Sequence, residues 1–97
     1  MTKINLVFDD IYDNADIIAV PNEIVFRIEE IGQEFLNWVP TADDSEYWKI
    51  VDGRKYTVAE TDGFIKWLNT NYCFETKKAY VVARNTAYCP QYKTIEF

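Results

Sequence analysis

Between Pro21 and Pro40 the chain carries an apolar pattern of helical period. Ile24, Ile28, Ile31, Phe35 and Trp38 recur at spacings of four, three, four and three, which lines them up as one stripe on a helix. Val25, Gly32 and Leu36 widen the stripe on one flank, and Glu23, Arg27, Glu30 and Glu34 occupy the other. Asn22 is suited to cap this helix, because its side-chain oxygen can accept an orphan N–H of the first turn. Glu23 follows at the end that the helix dipole makes favourable for a carboxylate, and Pro40 removes the donor that a further turn would need. A one-sided helix must bury its stripe against another layer, so this segment commits the chain to a packed core. With 97 residues there is room for one such core, and the whole of 1–97 is expected to be a single domain.

The remaining segments read mainly as strands. In residues 3–8, Ile4, Leu6 and Phe8 share one face of a half-buried strand. Asp9 to Asp16 is polar and reads as a loop; Ile17 to Val20 is a short apolar run that suits either a strand stub or an extended lead-in. Residues 46–51 and 54–59 form a hairpin around Asp52-Gly53. A three-residue Val51-Asp52-Gly53 loop, with Gly53 left-handed, would put Trp48, Ile50, Tyr56 and Val58 on one face. Thr61 is placed to cap a second helix over 62–72, with Phe64, Trp67, Leu68 and Tyr72 on its buried side. The apolar run 79–83 suggests a central strand covered on both faces, and residues 92–97 a last strand. The expected fold is α+β in the order β-α-β-β-α-β-β, a mainly antiparallel sheet with two helices packed on one side. Trp38, Trp48, Trp67 and several Phe supply the large buried areas that a small core needs.

Little enzymology survives the composition. There is no histidine, which removes the commonest general base, the commonest metal ligand and the usual partner of a Ser or Cys nucleophile. Ser45, the only serine, sits among Asp43, Asp44 and Glu46, whose negative charge opposes an alkoxide. Glycine occurs only at 32, 53 and 63, so no glycine-rich phosphate cradle exists. Paired carboxylates of glycosidase type need only two acids and stay open as an alternative. Asp9, Asp10, Asp13 and Asp16 could in principle meet calcium, but the calcium-loop pattern with its central Gly and closing Glu is missing. No cofactor, metal or catalytic residue is expected.

Charge is the positive signal. Residues 1–46 hold eleven acids against Lys3 and Arg27, a net of −9; residues 47–97 hold five acids and eight bases, a net of +3; together they give −6. A domain so polarised attracts and orients a basic partner. The scattered bases argue against direct nucleic-acid binding, which draws on Lys and Arg for phosphate contacts, and against a membrane surface. The expected partner-binding residues are Asp9, Asp10, Tyr12, Asp13 and Asp16 in the first acidic segment; Glu23, Phe26, Glu30 and Glu34 on the helix; and Asp43, Asp44 and Glu46 beyond it. Carboxylates accept bidentate bonds from Arg, and Tyr12 adds a rigid amphipathic contact. Phe26 lies about 160° from the core stripe at 100° per residue. It is either an exposed anchor ringed by carboxylates or a ring covered by a neighbouring strand. The segment 85–92 is rich in Tyr and amides, as recognition loops are, and equally suits a tyrosine-packed turn. The first residues lack the basic-then-apolar order of a secretory signal, so a cytoplasmic location with Cys73 and Cys89 reduced is the expectation; a bridge between them stays open.

A small, acidic, aromatic-rich, histidine-free chain of this kind resembles the immunity proteins of bacterial toxin systems, polymorphic and contact-dependent. The resemblance is one of composition across the whole chain and carries no family motif. It implies an inhibitor that masks the active site of a cognate basic toxin, a nuclease being one possibility, with carboxylates standing where phosphates would. Phage-type inhibitors of CRISPR or restriction nucleases share this physics and form the alternative.

Overall fold

A computed structural model describes residues 1–7, 14–58 (Glu46 by its backbone alone), 60–73 and 77–96. The domain is α+β. Its strands are β1 (Thr2–Val7), β2 (Asn14–Val20), β3 (Trp48–Val51), β4 (Arg54–Thr57), β5 (Tyr80–Ala87) and β6 (Lys93–Glu96). Its helices are α1 (Asn22–Val25), α2 (Ile28–Trp38) and α3 (Thr61–Asn71), with short 3-10 turns at Val39–Thr41 and Ser45–Tyr47. Four strands form one sheet in the order β5-β2-β1-β6, and β3-β4 stand apart as a second, two-stranded sheet. All pairings are antiparallel except β1 with β6, which is parallel.

One face of the large sheet makes the core. Ile4, Leu6, Ile18 and Val20 project from the two central strands, and Ile28, Ile31 and Phe35 of α2 meet Phe64, Trp67 and Leu68 of α3 above them. Each such side chain, taken wholly out of water, contributes roughly 1.5–3 kcal/mol. Phe35 is the hub: its ring lies 5.2 Å from Phe64, 5.5 Å from Trp67 and 6.3 Å from Tyr47, centroid to centroid. Gly63 lets α3 approach Tyr47, since a Cβ there would sit 2.8 Å from Tyr47 Cε1.

On the opposite face, among the described residues, the buried Asn5 amide anchors the crossing segment, and Thr94 Oγ1 donates to the Tyr88 hydroxyl beside it. Asn5 alternates with Ile4 and Leu6, so its side chain points away from the helices. Strands β5 and β6 are opposite edges of the sheet, and residues 88–92 cross this outer face to join them. Asn5 Nδ2 donates to the Cys89 carbonyl at 2.8 Å and to Thr94 Oγ1 at 3.2 Å, while Asn5 Oδ1 accepts from the Cys89 N–H at 3.3 Å. The amide thus plays the part of a paired peptide group for a segment with no strand neighbour.

Several expectations are corrected. Residues 14–16 belong to a full strand, β2, rather than to a loop. The long helix is two: the Arg27 N–H bonds the Ile24 carbonyl, closing α1 as a tight turn, and α2 restarts with the Ile31 N–H on the Arg27 carbonyl. Asn22 does not cap; its Oδ1 accepts from Thr2 Oγ1 at 2.6 Å. Nor does Thr61, whose hydroxyl donates to Asp16 instead. The hairpin register is Val51↔Arg54 and Ile50↔Lys55, a strict two-residue turn with both Asp52 (φ 52°) and Gly53 (φ 76°) left-handed. That is the primed turn an Asp-Gly pair favours, and Tyr56 therefore faces away from Trp48 and Ile50. Strand β5 is an edge strand of alternating exposure, not a central one; the central strands are β1 and β2.

Candidate partner-binding surface

The break between α1 and α2 decides what Phe26 does. It falls after the single turn of α1, with Ile24 half-buried before it and Ile28 buried after it. Phe26 itself is 75% exposed, the most exposed large apolar side chain among the described residues. Of the two readings of this ring, the structure supports the uncovered one. Around it in sequence lie Glu23, Glu29 and Glu30, all exposed.

These carboxylates already have partners. Lys77 Nζ meets Glu23 Oε1 at 2.8 Å, Arg27 Nε meets Glu30 Oε2 at 3.0 Å and its Nη2 reaches Glu34 Oε1 at 4.0 Å. Lys93 stands 3.8 Å from Glu29, and the Tyr72 hydroxyl donates to Glu34 Oε2. The hydrogen bond from Lys77 holds the Glu23 carboxyl below the usual range. The bond to Glu30 raises the Arg27 guanidinium, and the bond to the Glu34 carboxylate raises the Tyr72 phenol. All of these groups are solvent-facing. Exposed pairs of this kind are screened by solvent and contribute little, so a partner's bases can replace them.

The other expected residues divide. Asp43 and Asp44 are exposed beyond α2, with Asp44 3.9 Å from Lys66 of α3. Asp9, Asp10, Tyr12 and Asp13 lie outside the described residues, as does the side chain of Glu46. Asp16 is brought inward rather than outward. Its Oδ1 accepts the Asn85 N–H at 2.8 Å and its Oδ2 accepts the Thr61 hydroxyl. Beside it, Arg84 grips Asp62 through two bonds of 2.6 and 3.2 Å, raising the guanidinium. Asp16 sits where the β2–β5 ladder shifts register, and Asn85 is left-handed there at φ 47°. The carboxylate therefore ties β2, the bulged β5 and the start of α3 together, with both oxygens engaged in that task.

Two open clefts accompany this surface, each of about 460 Å³. One lies over the Asp16 clasp, with Thr57, Glu60 and Arg84 in its walls. The other runs between α2 and β6, past Glu29, Gly32, Gln33, Tyr88, Ile95 and Glu96. Among the described residues no three His, Cys, Asp or Glu side chains gather as a metal site, and every buried side-chain polar atom has a partner. Cys73 and Cys89 are unpaired, and burial pushes the Cys73 thiol up. Among the described residues no helix is long and apolar enough to cross a membrane.

Sequence reasoning missed the hairpin's outward character. Ile50 is 73% exposed, Tyr56 projects from the other face, and Lys55 Nζ lies 4.3 Å from the centre of the Trp48 ring. The available signal was the Asp-Gly pair, whose preferred turn forces the odd register. The segment 85–92 also divides: 85–87 belong to β5, and 88–92 form the crossing pinned by Asn5. Compared with known proteins, the chain matches no family model, no curated protein and no solved structure.

Proposed function

We propose that this chain is a protein-binding domain that recognises a basic partner through the α1–α2 face, and that it acts as an inhibitor of the immunity type rather than as an enzyme. The observation that carries the reading is Phe26, an uncovered aromatic ring in a helix break with Glu23, Glu29 and Glu30 beside it. An aromatic anchor surrounded by charge is the arrangement in which few residues supply most of the binding energy and the charges set orientation and rate. The ion pairs that now cover those carboxylates are exchangeable, so a partner's Arg or Lys can take the place of Arg27 and Lys77. The identity of the partner as a toxin or nuclease rests on the acidic, histidine-free composition and on the first-half charge excess.

The test is capture of a basic protein from host lysate by the full chain, repeated with Glu23→Lys, Glu30→Lys and Glu34→Lys combined. The expected result is capture at low salt that weakens steeply as salt rises and is lost on charge reversal. Capture unaffected by the reversal would remove this face from the interaction.

A further inference from the structure

The cleft between α2 and β6 differs from the acidic face in having a backbone edge as one wall. Among the described residues β6 has a strand neighbour on one side only, β1, so its outer N–H and C=O groups have no ladder partner. The cleft runs along that edge. Its floor is made by Gly32, which offers no side chain, and by Ile95, which is 5% exposed. At its rim stand Glu29 and Glu96. Glu29 is balanced by Lys93, while Glu96 forms no ion pair among the described residues.

From this geometry we infer that β6 accepts an extended segment of a partner protein as an added strand, with a basic residue placed beside Glu96. A strand edge leaves main-chain groups that a flat side-chain contact cannot satisfy and that a further strand does satisfy. The four residues of β6 span about 13 Å at 3.3 Å per residue, so the added segment pairs over a similar length. Directly opposed residues in a sheet point to the same face. The residue opposite Ile95 therefore points toward α2, where bare Gly32 leaves space for a medium apolar side chain. Its neighbour opposite Glu96 points to the other face, where a Lys or Arg meets the carboxylate. The recognised pattern is thus an apolar residue adjacent to a basic one in an extended segment. This inference does not rest on the Phe26 surface: Glu29 borders both, but the recognition here is carried by the backbone groups of β6 and by Glu96.

The probe is a blocked heptapeptide of alternating valine and lysine, titrated into the isotope-labelled full chain and followed by amide NMR. The expected result is saturable shifts at residues 93–96, Gly32 and Gln33, with slowed amide exchange along β6. A peptide N-methylated at every residue, with no N–H left to donate to β6, is expected to lose this binding. Glu96→Lys, an exposed position, is expected to weaken it about two- to fivefold. Absence of saturable shifts at β6 would overturn the inference. So would equal binding of the N-methylated peptide, or shifts confined to Glu23, Glu30 and Glu34, since either would show attraction between opposite charges alone.

Discussion

The four-stranded sheet and the β3–β4 hairpin are both built from short strands, yet different physics sets their registers. In the large sheet, Ile4, Leu6, Ile18 and Val20 must all face the helices, and a slip of one residue would turn each of them outward. Burial decides that register. Beyond Trp48, which packs partly against the core, the hairpin buries no such face: all of Arg54–Thr57 is exposed, and Ile50 stands in solvent. There the turn decides, and Asp52-Gly53 imposes a two-residue loop that scatters Trp48, Ile50 and Tyr56 over both faces. An apolar pattern predicts register only where something is present to bury it.

That contrast has measurable consequences. Phe35→Ala removes the ring that joins α2, α3 and Tyr47, and is expected to cost about 3–5 kcal/mol, read as a shifted urea midpoint or outright unfolding. Asn5→Ala strips the outer face of its buried amide and leaves the Cys89 peptide groups without it; the expected loss is about 1–3 kcal/mol by the same measurement. In the hairpin, Gly53→Ala meets no atom within 4 Å but must hold φ at +76°, a strain of about 1 kcal/mol. Its effect is expected to stay local, loosening the Ile50–Lys55 contact seen by NMR while the urea midpoint barely moves. A large global loss would show that the hairpin is coupled to the core.

The smallest expected effect lies on the acidic face. The Glu34 carboxylate accepts from Tyr72 and so holds the phenol above its ordinary range. A folded-state value raised in this way adds stability that is present below the unfolded tyrosine value and is lost as pH rises through the folded one. Glu34→Gln should bring phenolate absorbance in at lower pH; an unchanged titration curve would contradict the contact.

Much of the core was legible in the chain, and for a physical reason. The 24–28–31–35–38 stripe and the Phe64, Trp67, Leu68 set read correctly because period and burial coincide there. The break at Phe26–Arg27 left no trace, since a tightened turn preserves the apolar spacing on either side. Strand β2 was only partly legible, because Asp16 sits in it as a structural carboxylate whose partners, Thr61 and Asn85, are remote in sequence. The run 79–83 was misplaced at the sheet's centre: Ala79 is buried and Val81 packs on the core, but Tyr80 and Val82 face solvent at an edge. Of the acidic surface, the helix flank was legible from its charge pattern. Its uncovered Phe26 was left open by periodicity alone, which places a residue on a face without saying what else covers that face.

The claim that binding centres on Phe26 is tested most directly by capture from one host lysate with two single variants, Phe26→Ala and Ile50→Ala. Both remove an apolar side chain about three-quarters exposed, so neither should cost more than about 0.5 kcal/mol of stability. The account predicts that a basic protein retained by the original chain at low salt is lost with Phe26→Ala and kept with Ile50→Ala. Retention with Phe26→Ala, or loss with Ile50→Ala alone, would contradict it and move the interface to the hairpin or elsewhere.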